Sequence, residues 1–215
     1  WSSANITWKE ALGAGSFGVV HRIEYADVTL AAKRMDLASK LDSRAELETL
    51  AIREFRALHK VTHTNIVQLL GVVLDHPDWI CLIMELANEG SLRQKLDRTP
   101  RAIVGKLAVQ VSLLHDIASG LAFCHTQKPL PLLHHDIKSA NILLFSHDDS
   151  GAVRLTAKLA DFGLAVGVSG TSTAAATSRT KTHAAGGTLS YRAPETYGGQ
   201  YTKASEVYSF SIVVF

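Results

Sequence analysis

Between residues 6 and 35 the chain alternates glycines with apolar and β-branched positions, as in Gly18-Val19-Val20 and Val28-Thr29-Leu30-Ala31-Ala32. A period of two places apolar side chains on one face of an extended chain, so antiparallel strands joined by a flexible turn are predicted. From residue 44 to 60 the period lengthens. Leu47, Leu50, Ala51, Glu54 and Leu58 fall at helical spacing on one face. Residues 66 to 86 predict two short strands split by the turn Asp75-His76-Pro77-Asp78. Asn88-Glu89-Gly90 then breaks the pattern and sets a boundary, with one domain at 1–87 and a second at 88–215. The second is mostly helical. Leu107, Val111, Leu114, Ala118, Leu121 and Ala122 form a long apolar stripe, ended near Pro129 and Pro131. Ile142 to Phe145 and Leu155 to Leu159 flank a polar turn, Ser146 to Gly151, as in a hairpin. Residues 167 to 187 are rich in Ser, Thr, Ala and Gly and longer than a usual connector, which predicts a mobile functional loop. Strands first and helices later indicate an α+β arrangement in two lobes.

Composition narrows the classes. The 215 residues are 47% hydrophobic, enough for a sizeable core. Lys and Arg number 22 against 20 Asp and Glu, a balance with no footprint for nucleic acid or an anionic membrane. Cys81 and Cys124 stand alone and no CxxC occurs, so a reducing compartment is expected. No signal peptide opens the chain. The closing run Val207 to Phe215 is apolar but too short to span a bilayer, and reads as a buried helix that has been cut. The first residue, Trp1, likewise reads as the start of an excised piece.

The chemistry-bearing residues fall in four places. Gly13-x-Gly15-x-x-Gly18-x-Val20 is a glycine-rich loop whose backbone N–H groups could approach phosphate, although alone it is equally a strand turn. Lys33 sits in an otherwise apolar strand, and Glu54 lies on the apolar stripe of its helix, where an unpaired carboxylate would be costly. A buried acid needs a cation, and Lys33 is the nearest candidate. His134-His135-Asp136-Ile137-Lys138-Ser139-Ala140-Asn141 gathers a proton acceptor, a cation and a metal-capable amide. A histidine metal site is disfavoured, because adjacent histidines diverge and no HxxxH exists. Asp161-Phe162-Gly163 offers a second metal-capable carboxylate after a buried strand.

These motifs, with Ala193-Pro194-Glu195, resemble the eukaryotic protein kinase family in order and spacing over essentially the whole chain. The resemblance implies a bilobal fold with an antiparallel-sheet N-lobe, one helix in that lobe, and a mainly helical C-lobe. It implies ATP with Mg²⁺ or Mn²⁺ as cofactor and a protein Ser or Thr as acceptor. Leu12, Gly13, Gly15, Gly18 and Val20 would cover the nucleotide, and Lys33, held by Glu54, would meet the α- and β-phosphates. Met84 matches the gatekeeper, and Glu85 to Ala87 the hinge that binds adenine. Val20, Ala31 and Leu143 would sandwich the adenine ring. Asp136 looks like the catalytic base, Lys138 would steady the moving phosphate, and Asn141 and Asp161 would hold metal. Leu58, Leu69, His134 and Phe162 match the family's regulatory stack. Lys138 and Gly187-Thr188-x-x-Tyr191-x-Ala193-Pro194-Glu195 favour Ser/Thr over Tyr acceptors. The wording from His135 to Leu144 is similar to the tyrosine-kinase-like group, which includes Raf-like, mixed-lineage, plant and protist members.

Two positions depart from the family pattern. His135 stands where many relatives carry an Arg that pairs with a loop phosphate, so weak dependence on phosphorylation of Ser169, Thr171, Ser172, Thr173, Thr177, Ser178, Thr180 or Thr182 is expected. Glu206 replaces an Asp that braces the catalytic loop, so the brace must shift or bend. The resemblance further implies helices beyond Phe215, and a chain lacking them is expected to be unstable. It also implies other domains in the parent protein, no membrane segment here, and a cytoplasmic location or the cytoplasmic side of a membrane protein. The alternatives are a pseudokinase scaffold and, less favoured, dual or tyrosine specificity.

Overall fold

The computed structural model describes residues 1–15, 18–36, 44–59, 61–149, 152–167 and 188–214. The loop hydroxyls from Ser169 to Thr182, Gly187 and Phe215 lie outside the described residues. The chain divides into two compact units, Trp1–Thr62 with Val67–Ala87, and His63–Ile66 with Asn88–Phe215.

The first unit is a five-stranded antiparallel sheet in the order β1-β2-β3-β5-β4. The strands are β1 (Thr7–Gly15), β2 (Gly18–Tyr25), β3 (Val28–Asp36), β4 (Leu69–Val73) and β5 (Trp79–Met84). Helix α1 (Arg44–His59) packs on one face. β5 explains the two-sided core. Ile80 and Leu82 join Met35 and Ala51 beneath α1, whereas Trp79, Cys81 and Ile83 join Ile23, Leu30, Ala32 and Val73 on the opposite face. A strand covered on both sides loses polar alternation, which is why this segment reads as an unbroken apolar run. The second face is closed by the N-terminal residues. Ile6 enters that core, Trp1 donates its indole N–H to the Leu70 carbonyl at 3.1 Å, and Ser2 and Ser3 donate to Asp75. These bonds, that from the Ser2 hydroxyl foremost, hold the Asp75 carboxyl below its usual range.

The second unit contains α2 (Leu92–Arg98), α3 (Leu107–His125), α4 (Lys203–Val214), the pair β6 (Leu132–Leu133) with β9 (Val166–Gly167), and the hairpin β7 (Ile142–Asp149) with β8 (Ala152–Leu159). α2 starts on a reciprocal cap: Gln94 N–H donates to Ser91 Oγ, and Ser91 N–H donates to Gln94 Oε1. The segment before it runs along β7, with Glu89 N–H on the Leu144 carbonyl and Leu144 N–H on the Gly90 carbonyl. α3 lies against β8. Asn65 Nδ2 donates to the Ala157 carbonyl and Asp116 Oδ2 accepts from the Ala157 N–H, both at 3.0 Å, so two side chains complete one β8 residue.

Two expectations are corrected, and α4 adds an observation. The buried face of α3 is Leu113, Asp116, Ile117, Gly120, Leu121 and Cys124, while Leu107 and Val111 are 73% and 55% exposed. α3 is apolar almost all round, enough to cross a membrane by length and composition alone, so periodicity could not select its inner face. The β7–β8 strands continue to Asp149 and Ala152, through residues taken for a turn, because Asn88 exchanges hydrogen bonds with Ser146 and the pairing extends past it. In α4 the buried residues are Ser205 and Glu206; Val207, Tyr208 and Val214 are exposed, with no described residue covering them.

Burial pushes the thiols of Cys81 and Cys124 from the ordinary 9.0 up to about 12, helped at Cys124 by the Glu206 charge. Below pH 9 both states keep these protons. Between pH 9 and about 12 the unfolded chain loses protons that the folded chain retains, so stability falls across that window. Iodoacetamide at pH 8.5 is expected to label neither cysteine until denaturant is added; fast labelling of either in the folded protein contradicts this burial.

Candidate active site

In the first unit, cross-strand register assembles the expected residues. Gly13 lies opposite Val20, Val20 opposite Lys33, and Ala31 opposite Met84. Leu12 falls at a register shift between Ala11 and Gly13, a bulge that re-aims the strand end. Gly18 has φ +144°, and a Cβ there would meet the Arg34 carbonyl oxygen at 2.2 Å, so β3 itself demands glycine at this position. Met84 is buried at the end of β5. Glu85 follows it, donating N–H to the Gln68 carbonyl and accepting Gln68 N–H on Oε1. Ala87 is half-buried at the end of the unit.

Lys33 Nζ reaches both carboxylate oxygens of Glu54, at 2.9 and 2.7 Å, with the two residues only 5% and 2% exposed. β3 points Lys33 to the α1 side of the sheet, and Glu54 comes up on the buried stripe of α1. Two opposite charges out of water are tolerable only when each satisfies the other.

In the second unit, Asp136 is surrounded by donors. Its Oδ1 accepts from the Thr188 N–H at 3.0 Å and the Thr188 hydroxyl at 3.3 Å. Its Oδ2 accepts from Asn141 Nδ2 at 2.9 Å and lies 2.7 Å from Lys138 Nζ. Lys138 also donates to Thr188 Oγ1 at 2.8 Å. A tight turn from Ser139 to Asn141 brings the amide back onto Asp136, and the Ala160 N–H donates to the Asn141 carbonyl. Asp161 is therefore placed one residue beyond that bond, in left-handed backbone with φ 64°. His134 is fully buried, contacts the Ala160 carbonyl through Nε2 at 2.9 Å, and packs on Phe162 with ring centroids 4.5 Å apart. Leu143 sits on β7 two residues past Asn141. Leu58 and Leu69, the other members of the predicted stack, belong to the first unit.

The two departures from the family pattern meet each other. His135 has φ 68°, and its N–H donates to Glu206 Oε1 at 2.7 Å. The other oxygen, Oε2, lies 2.7 Å from His125 Nε2 near the C-terminus of α3. The longer side chain of Glu206 thus reaches both the loop backbone and α3 from the first turn of α4.

Several contributors escaped the sequence reading: Asn65, Asp116, His125, and Tyr201, whose ring stacks on His135. Thr188 was noted only as part of a signature, yet it makes two hydrogen bonds to Asp136. Their partners lie between 41 and 92 residues away, beyond the reach of local periodicity.

The donor set fits a divalent cation bound with a nucleotide. Asn141 spends Nδ2 on Asp136, which turns its side-chain oxygen to the other side of the amide, and Asp161 follows Ala160, whose N–H donates to the Asn141 backbone carbonyl. Oxygen ligands of this kind suit Mg²⁺ or Mn²⁺.

Residues 6–215 match the protein kinase domain family, and the chain belongs to it. It is similar to serine/threonine-protein kinase CTR1 of Arabidopsis thaliana, 31% identical over 100% of this chain and 24% of that protein. Mitogen-activated protein kinase kinase kinase 10 of Mus musculus is 31% identical over 96% of this chain and 21% of its own length. Wall-associated receptor kinase-like 20 of Arabidopsis thaliana is 35% identical over 98% and 30%. The chain spans about a quarter of the length of the curated relatives it matches. The span of relatives agrees with the tyrosine-kinase-like grouping.

Replacing Glu54 with Ala strands the Lys33 ammonium in the interior. The expected cost is about 3–5 kcal/mol in urea unfolding, with most of it recovered in a Lys33→Met, Glu54→Leu double variant. A loss below about 1 kcal/mol would show that the pair is not buried as described.

Proposed function

We propose that this chain is the catalytic domain of a serine/threonine protein kinase that transfers the γ-phosphoryl group of ATP to a protein hydroxyl. The observation that carries the reading is the set of donors gathered on Asp136 by Thr188, Asn141 and Lys138. When bound, Mg·ATP supplies the transferable phosphoryl group and neutralises part of its charge.

Each residue has a task in this reading. Asp136, fixed by Thr188 and Asn141, orients the acceptor hydroxyl and takes its proton. Lys138, held between Asp136 and Thr188, steadies the negative charge on the moving group. Lys33, aimed by Glu54, would meet the α- and β-phosphates, and Asn141 and Asp161 would hold the metal. Leu12, Gly13, Gly15, Gly18, Val20, Ala31 and Leu143 enclose the nucleotide, and Met84, Glu85 and Ala87 contact adenine. The Lys138–Thr188 bond supports a Ser/Thr acceptor. The much longer relatives support further domains in the parent protein, and a receptor kinase-like protein among them fits a site on the cytoplasmic side.

The test is transfer of radiolabel from Mg·ATP to a protein substrate by the full-length protein. Asp136→Asn and Lys33→Met are each expected to lower transfer by at least about a hundredfold. Phosphatase-treated wild type is expected to keep most of its activity, because His135 offers no bidentate phosphate clamp. A wild type that never transfers label, yet is stabilised by ATP, would identify a pseudokinase scaffold instead.

A further inference from the structure

His135 is held in left-handed backbone, φ 68°, a conformation that is strained for any residue but glycine. Something must hold it there, and two groups from the start of α4 do so. Glu206 takes its backbone N–H at 2.7 Å. Tyr201 takes its side chain: the imidazole lies on the phenol ring with centroids 4.5 Å apart and planes 24° from parallel. Tyr201 is itself fixed. Arg192 donates to its hydroxyl at 2.5 Å, donates to the Thr196 carbonyl at 3.3 Å, and lies over the rings of both Tyr197 and Tyr201. Thr202 and Ser205, exchanging backbone and side-chain bonds, cap α4 directly after Tyr201 and set where its ring stands.

We propose that Tyr201 is a positioning residue for Asp136, acting through the ring of His135. The inference rests on the kinase reading for its catalytic consequence, but not for its structural one. Among the described residues, the segment from Thr188 to Tyr201 touches the catalytic loop at more than one point, including the Tyr191 and Ser139 hydroxyls, 3.0 Å apart. Thr188 meets the carboxylate of Asp136, and Tyr201 meets the residue immediately before it. The Tyr201 contact is ring on ring and needs no phosphate. In a chain where His stands in place of the clamp Arg, it supplies a link between this segment and the residue before Asp136. Removing the ring takes away one of the contacts that hold the strained His135 backbone, so the loop can relax and swing Asp136 off line. A displacement near 1 Å at a reacting group lowers rate by up to about a hundredfold.

The experiment compares wild type, Tyr201→Ala, Tyr201→Leu and Tyr201→Phe in the full-length protein, with hydrogen exchange and kinetics measured on each. Tyr201→Ala and Tyr201→Leu are expected to speed exchange of the His135 and Asp136 amides at least tenfold. They are expected to lower kcat about ten- to hundredfold, with KM for ATP unchanged within twofold. Tyr201→Phe keeps the ring and is expected to restore both. Tyr201→Leu keeps the bulk, so it carries the same test if the Ala variant does not fold. Exchange and kcat at wild-type levels in Tyr201→Leu, or a defect that Phe does not rescue, would overturn the proposal. If wild type transfers no phosphate, the exchange measurement still decides the positioning role, and it is the kinase reading that fails.

Discussion

A carboxylate removed from water must be met by donors, and both units of this chain are built around that requirement. Glu54 is met by Lys33, Asp116 by the Ala157 N–H, Glu206 by the His135 N–H and His125, and Asp136 by Thr188, Asn141 and Lys138. Each acid ties together segments that are distant in sequence. The order of the loops that carry the chemistry follows from these ties more than from packing of apolar side chains, which is tolerant of shape. A single unmet carboxylate would cost several kcal/mol, comparable to the net stability of a domain.

How much of this was legible depended on whether the signal was local. Glu54 could be read because an acid on an apolar helical stripe is a contradiction within one element, and the contradiction points to a cation. The sheet could be read because β3 and β5 carry their own pattern. α3 could not be oriented: its sequence offers two apolar stripes, and only contacts with β8 and Asn65 choose between them. Gly120 marks the choice, since a Cβ there would meet the Asn65 carbonyl oxygen at 2.6 Å. The reach of the β7–β8 hairpin depended on Asn88, a residue 58 positions from its partner Ser146. Candidate site residues were found through family resemblance and motif spacing; the residues that hold them, Thr188, His125 and Tyr201, have no motif that announces their partners.

The positions that break the family pattern turn out to be joined. His135 and Glu206 share a hydrogen bond, and the extra methylene of Glu206 lets one carboxylate serve both the loop and His125 on α3. The brace is thus made by a longer arm with a second anchor. Together with the Tyr201 stack, this gives the catalytic loop a support drawn from α3, α4 and the segment preceding α4.

The central proposal is that Asn141 and Asp161 would hold the metal of a bound nucleotide. Calorimetric titration with a non-hydrolysable ATP analogue, with and without Mg²⁺, tests it most directly. The account predicts that wild type binds the analogue at least tenfold more tightly with Mg²⁺ and that Asp161→Asn abolishes this gain while leaving metal-free binding in place. An undiminished Mg²⁺ gain in the variant would contradict it.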